Sequence, residues 1–140
     1  MKLWIDDIRP APEGYTWAKS VNEAKKIIQD NEEECNQIYN KIRVGICTDE
    51  IEEGSVEEIM LWEEAEKKEL TLIDIDHDAG DYYVIDGGDY IELLNWLEER
   101  DFFETEKRKY NIHIHSMNPV GVENMRRIIK RNGWTEIKDI

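Results

Sequence analysis

Short apolar runs that end in acids alternate along this chain with stretches of helical period. The first run, Lys2-Leu3-Trp4-Ile5, closes on Asp6-Asp7. A later one, Leu72-Ile73-Asp74-Ile75, closes on Asp76-His77-Asp78. Between them, Arg9-Pro10-Ala11-Pro12-Glu13-Gly14 is a connector, because two prolines and a glycine rule out a helix of any length. Tyr15-Thr16-Trp17-Ala18 is β-prone, and Ser20 with Glu23 three residues on forms a capping box that opens a helix over 21–28. Residues 31–68 read as a helical segment at 35–42, a short strand at 43–47, a turn at Gly54-Ser55 and an acidic helix over 56–68. In that last helix Ile59, Trp62 and Ala65 share one narrow face.

The second half is more regular. Asp78-Ala79-Gly80-Asp81 is a loop and Asp86-Gly87-Gly88-Asp89 a turn, with Asp89 placed to cap a helix over 90–100 whose inward face is Ile91, Leu94, Asn95 and Leu97. Residues 112–115 form a strand. A loop at Asn118-Pro119-Val120-Gly121 leads to a helix over 122–131 with Met125, Ile128 and Ile129 turned inward. Asn132-Gly133 ends it as a left-handed cap, and 134–140 is a terminal strand. Strands alternating with helices predict a single α/β domain with a mostly parallel sheet.

The acids at the strand ends are the chemical clue. Carboxylates are poor strand formers and costly to bury unpaired, and the carboxyl ends of strands in an open α/β sheet line the ligand crevice. All three histidines, His77, His113 and His115, fall in or beside these ends. Asp74/Asp76 and His113/His115 alternate with isoleucine, so their strands either turn a polar face to water or carry a site.

Composition narrows the classes. A chain of 140 residues with 40% hydrophobic residues, five Trp and six Tyr can bury a core. A net charge of −15 disfavours broad docking on nucleic-acid backbone or anionic membrane, yet leaves room for one terminal phosphate captured through a cation. Most of the excess carboxylate is ordinary solvated surface. Two cysteines outside any C-x-x-C spacing, acids within six residues of the start, and no apolar run near ~18 residues predict a soluble, cytosolic, thiol-reduced protein with no membrane span.

In order, Leu3-Trp4-Ile5-Asp6-Asp7-Ile8-Arg9-Pro10, Trp17-Ala18-Lys19, Ile75-Asp76-His77-Asp78-Ala79-Gly80-Asp81 and Ile112-His113-Ile114-His115-Ser116-Met117-Asn118-Pro119-Val120-Gly121 resemble the cyclic-phosphate-processing receiver-like domains, divergent relatives of two-component receivers. The resemblance spans roughly 1–29 and 69–140, which makes about 31–68 an insertion. It implies a flavodoxin/receiver-like fold, a five-stranded sheet of order 2-1-3-4-5 flanked by helices, with the insertion largely helical. It further implies that Asp6 and Asp7 hold a divalent cation, that Asp76 matches the receiver's acceptor aspartate, and that Ser116 matches the hydroxyl residue after the fourth strand. The departures are the Pro-rich connector in place of a first helix and the missing Lys-Pro after the last strand, where Lys138 is the nearest lysine.

Opening a 2′,3′-cyclic phosphate takes a base for water, an acid for the leaving ribose oxygen and positive charge near the phosphorane. His77 and His115 are the candidate proton-transfer pair, with Asp76 and Ser116 beside them. Asp6, Asp7, Asp76 and Asp78 are the candidate ligands for Mg²⁺ or Mn²⁺, and Arg9 and Asn118 the candidate binding residues for the phosphate-bearing group. His113 either orients its neighbour or is a satisfied core histidine. The expected function is a metal-dependent phosphoesterase acting on cyclic or terminal phosphates of nucleotides or RNA ends. The alternatives are a receiver-like metal- or phosphate-binding switch, and an acidic interaction module docking a protein partner through 31–68.

Overall fold

The computed structural model describes all residues except 83–85. Five strands, β1 (Lys2–Ile5), β2 (Tyr15–Ala18), β3 (Leu72–Ile75), β4 (Asn111–Ile114) and β5 (Thr135–Glu136), pair in parallel in the order 2-1-3-4-5. Four helices, α1 (Val21–Cys47), α2 (Val56–Lys68), α3 (Ile91–Arg100) and α4 (Pro119–Arg131), accompany them. The expected receiver-like α/β fold is the one observed.

The order of strands decides which face the helices cover. From β2 to β3, β3 to β4 and β4 to β5 the chain always steps the same way across the sheet, and right-handed crossovers put all three connections on one face. There Val21, Ala24 and Ile28 of α1, Leu93, Leu94 and Leu97 of α3, and Met125, Ile128 and Ile129 of α4 bury Leu3, Ile5, Ile73, Ile75 and Ile112. Only the step from β1 to β2 runs the other way, and residues 6–14 make it without a helix. The second face therefore carries in-register side chains that no helix among the described residues covers: Trp4 beside Trp17 and Asp74, and Asp74 beside His113. The isoleucine–polar alternation of β3 and β4 has its explanation here, one face against helices and one without them.

Several local expectations change. The 35–42 segment and the strand at 43–47 are both part of α1, which runs unbroken because nothing between 21 and 47 is a strong breaker. Its Gly45 packs so closely on Ile51 that a Cβ would collide with that side chain. The β-branched residues of 43–47 are overruled by packing. In α2 only Ala65 is buried; Ile59 and Trp62 stay largely exposed, with Trp62 tilted against Tyr39 of α1. Leu93 takes the place of Asn95 on the buried face of α3, and Tyr90 rather than Asp89 is its N-cap. Asp89 instead accepts a hydrogen bond from the Ala79 N–H at 3.1 Å, tying the loop after β3 to the start of α3. The terminal strand shrinks to Thr135–Glu136. The Ser20 cap holds, accepting from the Glu23 N–H at 3.1 Å, and Gly133 has the left-handed φ of +68°.

Glu98 of α3 clamps α4 by accepting from Arg131 (2.8 and 2.9 Å) and Asn132. The Arg131 guanidinium foremost, and Asn132 with it, hold the Glu98 carboxyl below its ordinary range against the opposing effect of burial. A lowered folded-state pKa gives stability that is complete above the ordinary glutamate range and is lost as pH falls through the lowered value. Glu98→Gln should therefore lower the melting temperature at neutral pH, and the gap to wild type should close on acidification below pH ~4.

Candidate functional site

The carboxyl ends of β1, β3 and β4 meet at one edge. Side-chain period two then sorts the residues just beyond these ends: Asp6, Asp76 and His115 continue the series of Trp4, Asp74 and His113, while His77 continues that of Ile73 and Ile75 toward the helices. Two groups result, joined at the Asp76–His77 peptide.

On the first side, the carboxylates of Asp6, Asp7 and Asp76 converge, with one oxygen from each within 4.8 Å of the others. Asp6, 1% exposed, is the hub. Its Oδ1 accepts the backbone N–H groups of Ile8 (2.9 Å) and Arg9 (2.8 Å), which folds the connector back over the strand end. Its Oδ2 accepts from Arg9 Nε at 2.9 Å and lies 3.0 Å from His115 Nε2. Burial alone would push the Asp6 carboxyl up. The N–H groups of Arg9 and Ile8, the His115 ring and the Arg9 guanidinium outweigh it and hold the carboxyl below its usual range. Arg9 also reaches Asp76 Oδ2 at 3.5 Å and donates to the His115 carbonyl at 3.2 Å, yet its side chain stays 47% exposed. Gly80, at φ +56°, leaves the space in which the Asp7 carboxylate lies; a Cβ would strike it.

On the second side, His77 packs its ring against the backbone of Gly121 in the first turn of α4, so closely that a Cβ there would collide with the ring. Its Nδ1 stands 2.9 Å from Asp78 Oδ1. Asn118 caps α4 by accepting from the Gly121 N–H at 3.0 Å, and its amide donates to Asp78 at 3.3 Å. The hydrogen bond with His77, then that with Asn118, hold the Asp78 carboxyl below its ordinary range despite some burial. An ionised Asp78 only accepts, so the hydrogen bond puts a proton on His77 Nδ1 and leaves the lone pair on Nε2. Ser116 Oγ accepts from the Asn118 N–H at 3.1 Å, shaping the turn into α4. Gly121→Ala should cost about 1–3 kcal/mol by overpacking. Combined with His77→Ala, whose missing ring vacates the space, it should cost much less; chemical denaturation of the cycle checks this.

His77 and His115 thus leave the sheet on opposite faces rather than as one facing pair. His115 is stacked under Trp4 (centroids 3.9 Å, planes 5° apart), and its two ring nitrogens stand against Asp74 Oδ1 (2.6 Å) and Asp6 Oδ2 (3.0 Å). Asp78 belongs with His77 rather than with Asp6, Asp7 and Asp76. Among the sequence candidates, Arg9, Asp6, Asp7, Asp76 and His115 share the first group, and His77, Asp78, Asn118 and Ser116 the second. Trp4 and Gly121 carry weight that the sequence pattern did not assign them, whereas Asp74 was already marked by its alternation with isoleucine; Trp4 lies in register beside it.

A five-stranded parallel sheet of order 2-1-3-4-5 with acids gathered at the ends of its first and third strands defines a receiver-like domain. The family of cyclic-phosphate processing receiver domains matches residues 1–39 and 47–131, and the chain belongs to it. The match continues through most of residues 31–68 and passes over 40–46. No curated protein and no solved structure matches the chain. Among the described residues no helix is long and apolar enough to cross a membrane.

Proposed function

We propose that this receiver-like domain is a divalent-cation-dependent phosphoesterase that opens cyclic phosphates, or removes terminal ones, on nucleotides or RNA ends. The observation that carries this reading is the convergence of Asp6, Asp7 and Asp76 beside an exposed arginine, with His77 next in the chain to Asp76 and hydrogen-bonded to Asp78. Three carboxylates converge here, with the Arg9 guanidinium against Asp6 and Asp76, and an all-oxygen donor set suits Mg²⁺ or Mn²⁺. Asp6 is already engaged by Ile8, Arg9 and His115, so it would take a cation in exchange for Arg9, while Asp7 and Asp76 supply the other oxygens. A cation bound there would supply positive charge beside the developing phosphorane.

The protein's own groups do the rest. Arg9, released toward solvent, clamps a phosphate oxygen, and its guanidinium suits that contact. His77, oriented by Asp78 and Asn118, takes the proton of the attacking water at Nε2 as the water oxygen bonds to phosphorus. The bond from phosphorus to one ribose oxygen breaks, and that oxygen leaves with a proton from solvent at the open edge. His115 holds Asp6 in place rather than transferring a proton. Incubation of the full chain with 2′,3′-cyclic nucleotide and Mg²⁺ or Mn²⁺, followed by ³¹P NMR, should show conversion to a monoester that chelator stops. The reading as a non-catalytic binding module would take over if neither cyclic nor terminal phosphates on mono- or oligonucleotides turn over.

A further inference from the structure

On the helix-free face, His113 and His115 stand two residues apart on β4 and its carboxyl end, and Asp74 lies in register beside His113 on β3. The Nδ1 atoms of both rings converge on one oxygen, Asp74 Oδ1, at 2.8 and 2.6 Å. His115 turns its other nitrogen, Nε2, to the buried carboxylate of Asp6 at 3.0 Å. We infer that Asp74, His113 and His115 form a second metal site, distinct from that of Asp6, Asp7 and Asp76, which takes a borderline transition-metal dication of the Zn²⁺ class.

The donor set is the first reason. Two imidazole nitrogens and one carboxylate oxygen favour Zn²⁺, Co²⁺ or Fe²⁺ over Mg²⁺, which prefers oxygen alone. Geometry is the second. Donor atoms sharing one ion at ~2.1 Å stand ~3.0–3.4 Å apart, so each ring nitrogen need move off Asp74 Oδ1 only by roughly half an ångström, and all three donor atoms already lie within 4.8 Å of one another. The third is the Asp6–His115 contact, since a metal-bound histidine donates its second N–H to a carboxylate that fixes ring and tautomer. Without an ion, His115 faces a carboxylate oxygen at each nitrogen. With one, Nδ1 gives its lone pair to the metal and Nε2 keeps the bond to Asp6. The face has no helix over it among the described residues, and His113 is 22% exposed, so an ion and a water ligand can reach the site. This site stands independently of the phosphoesterase reading.

Co²⁺ added to the full chain tests it, because Co²⁺ among nitrogen ligands at low coordination absorbs visible light far more strongly than in an all-oxygen octahedron. The wild type should develop that band with one strongly coloured ion per chain. His113→Ala should remove it, Asp6→Asn should weaken Co²⁺ binding by about 10–100-fold, and His77→Ala and Asp7→Asn should leave it in place. X-ray absorption of the Zn²⁺-loaded wild type should count two imidazoles, a readout that needs no variant to fold. A colourless wild type, a band that survives His113→Ala, a band lost in His77→Ala, or fewer than two imidazoles on Zn²⁺ would each overturn the assignment.

Discussion

His77→Ala is expected to lower hydrolysis of a 2′,3′-cyclic nucleotide by roughly 10²–10⁴-fold, the usual contribution of one proton-transfer group. Nδ1 is committed to Asp78, so Nε2 alone of the ring nitrogens remains for water. Asp78→Asn should act through the same atom. An amide can donate where the carboxylate only accepted, which turns the ring toward the wrong tautomer. Its effect should be smaller than that of His77→Ala and nearly absent in its background, because residues acting as a unit are not additive. His115→Ala should differ in kind. It leaves Asp6 Oδ2 with Arg9 but without the His115 ring and uncovers Trp4, so its first signature should be a lower melting temperature and weaker dependence on the cation. Steady-state kinetics with thermal melts of each variant separate these cases. Equal turnover by wild type and His77→Ala would remove His77 from the chemistry.

The second large effect concerns the cation. Clustered carboxylates repel one another, and a bound dication relieves that repulsion in the folded state alone. Millimolar Mg²⁺ or Mn²⁺ should therefore raise the melting temperature, by an amount equivalent to ~2.7 kcal/mol when the ion stands at about a hundred times its dissociation constant. Asp6→Asn with Asp7→Asn should abolish the shift. Because Asp6 also accepts the N–H groups of Ile8 and Arg9, the double variant should start from a lower melting temperature. The quantity to compare is therefore the change on adding metal. An undiminished shift would mean that the ion only screens the general negative charge of the protein.

The sheet was legible in the sequence because its strands are short apolar runs punctuated by acids and turns, and because the capping box at Ser20 and the periodicity of 122–131 mark helices by local chemistry alone. The strand order came from the resemblance of motifs. The length of α1 was not legible: the β-branched residues of 43–47 favour a strand locally, and only the packing of Gly45 on Ile51 shows why the helix continues. Asp89 looked like a helix cap, but its carboxylate was needed by the Ala79 N–H. At the site, the acids of Asp6, Asp7 and Asp76 were readable as strand-end residues. The division of His77 from His115 was not, although period two contains it. Position 77 shares parity with Ile75, which packs on helices, and position 115 with His113, which does not. What was missing was the knowledge that every helical crossover falls on one face, a consequence of strand order rather than of any local pattern.

The convergence of Asp6, Asp7 and Asp76 on a cation is tested most directly by anomalous diffraction from crystals of the full chain soaked in Mn²⁺. The expected result is a manganese peak among the carboxylates of Asp6, Asp7 and Asp76, with the Arg9 guanidinium moved off Asp6. Density for manganese elsewhere and none among these three carboxylates, with Arg9 still bound to Asp6, would contradict it.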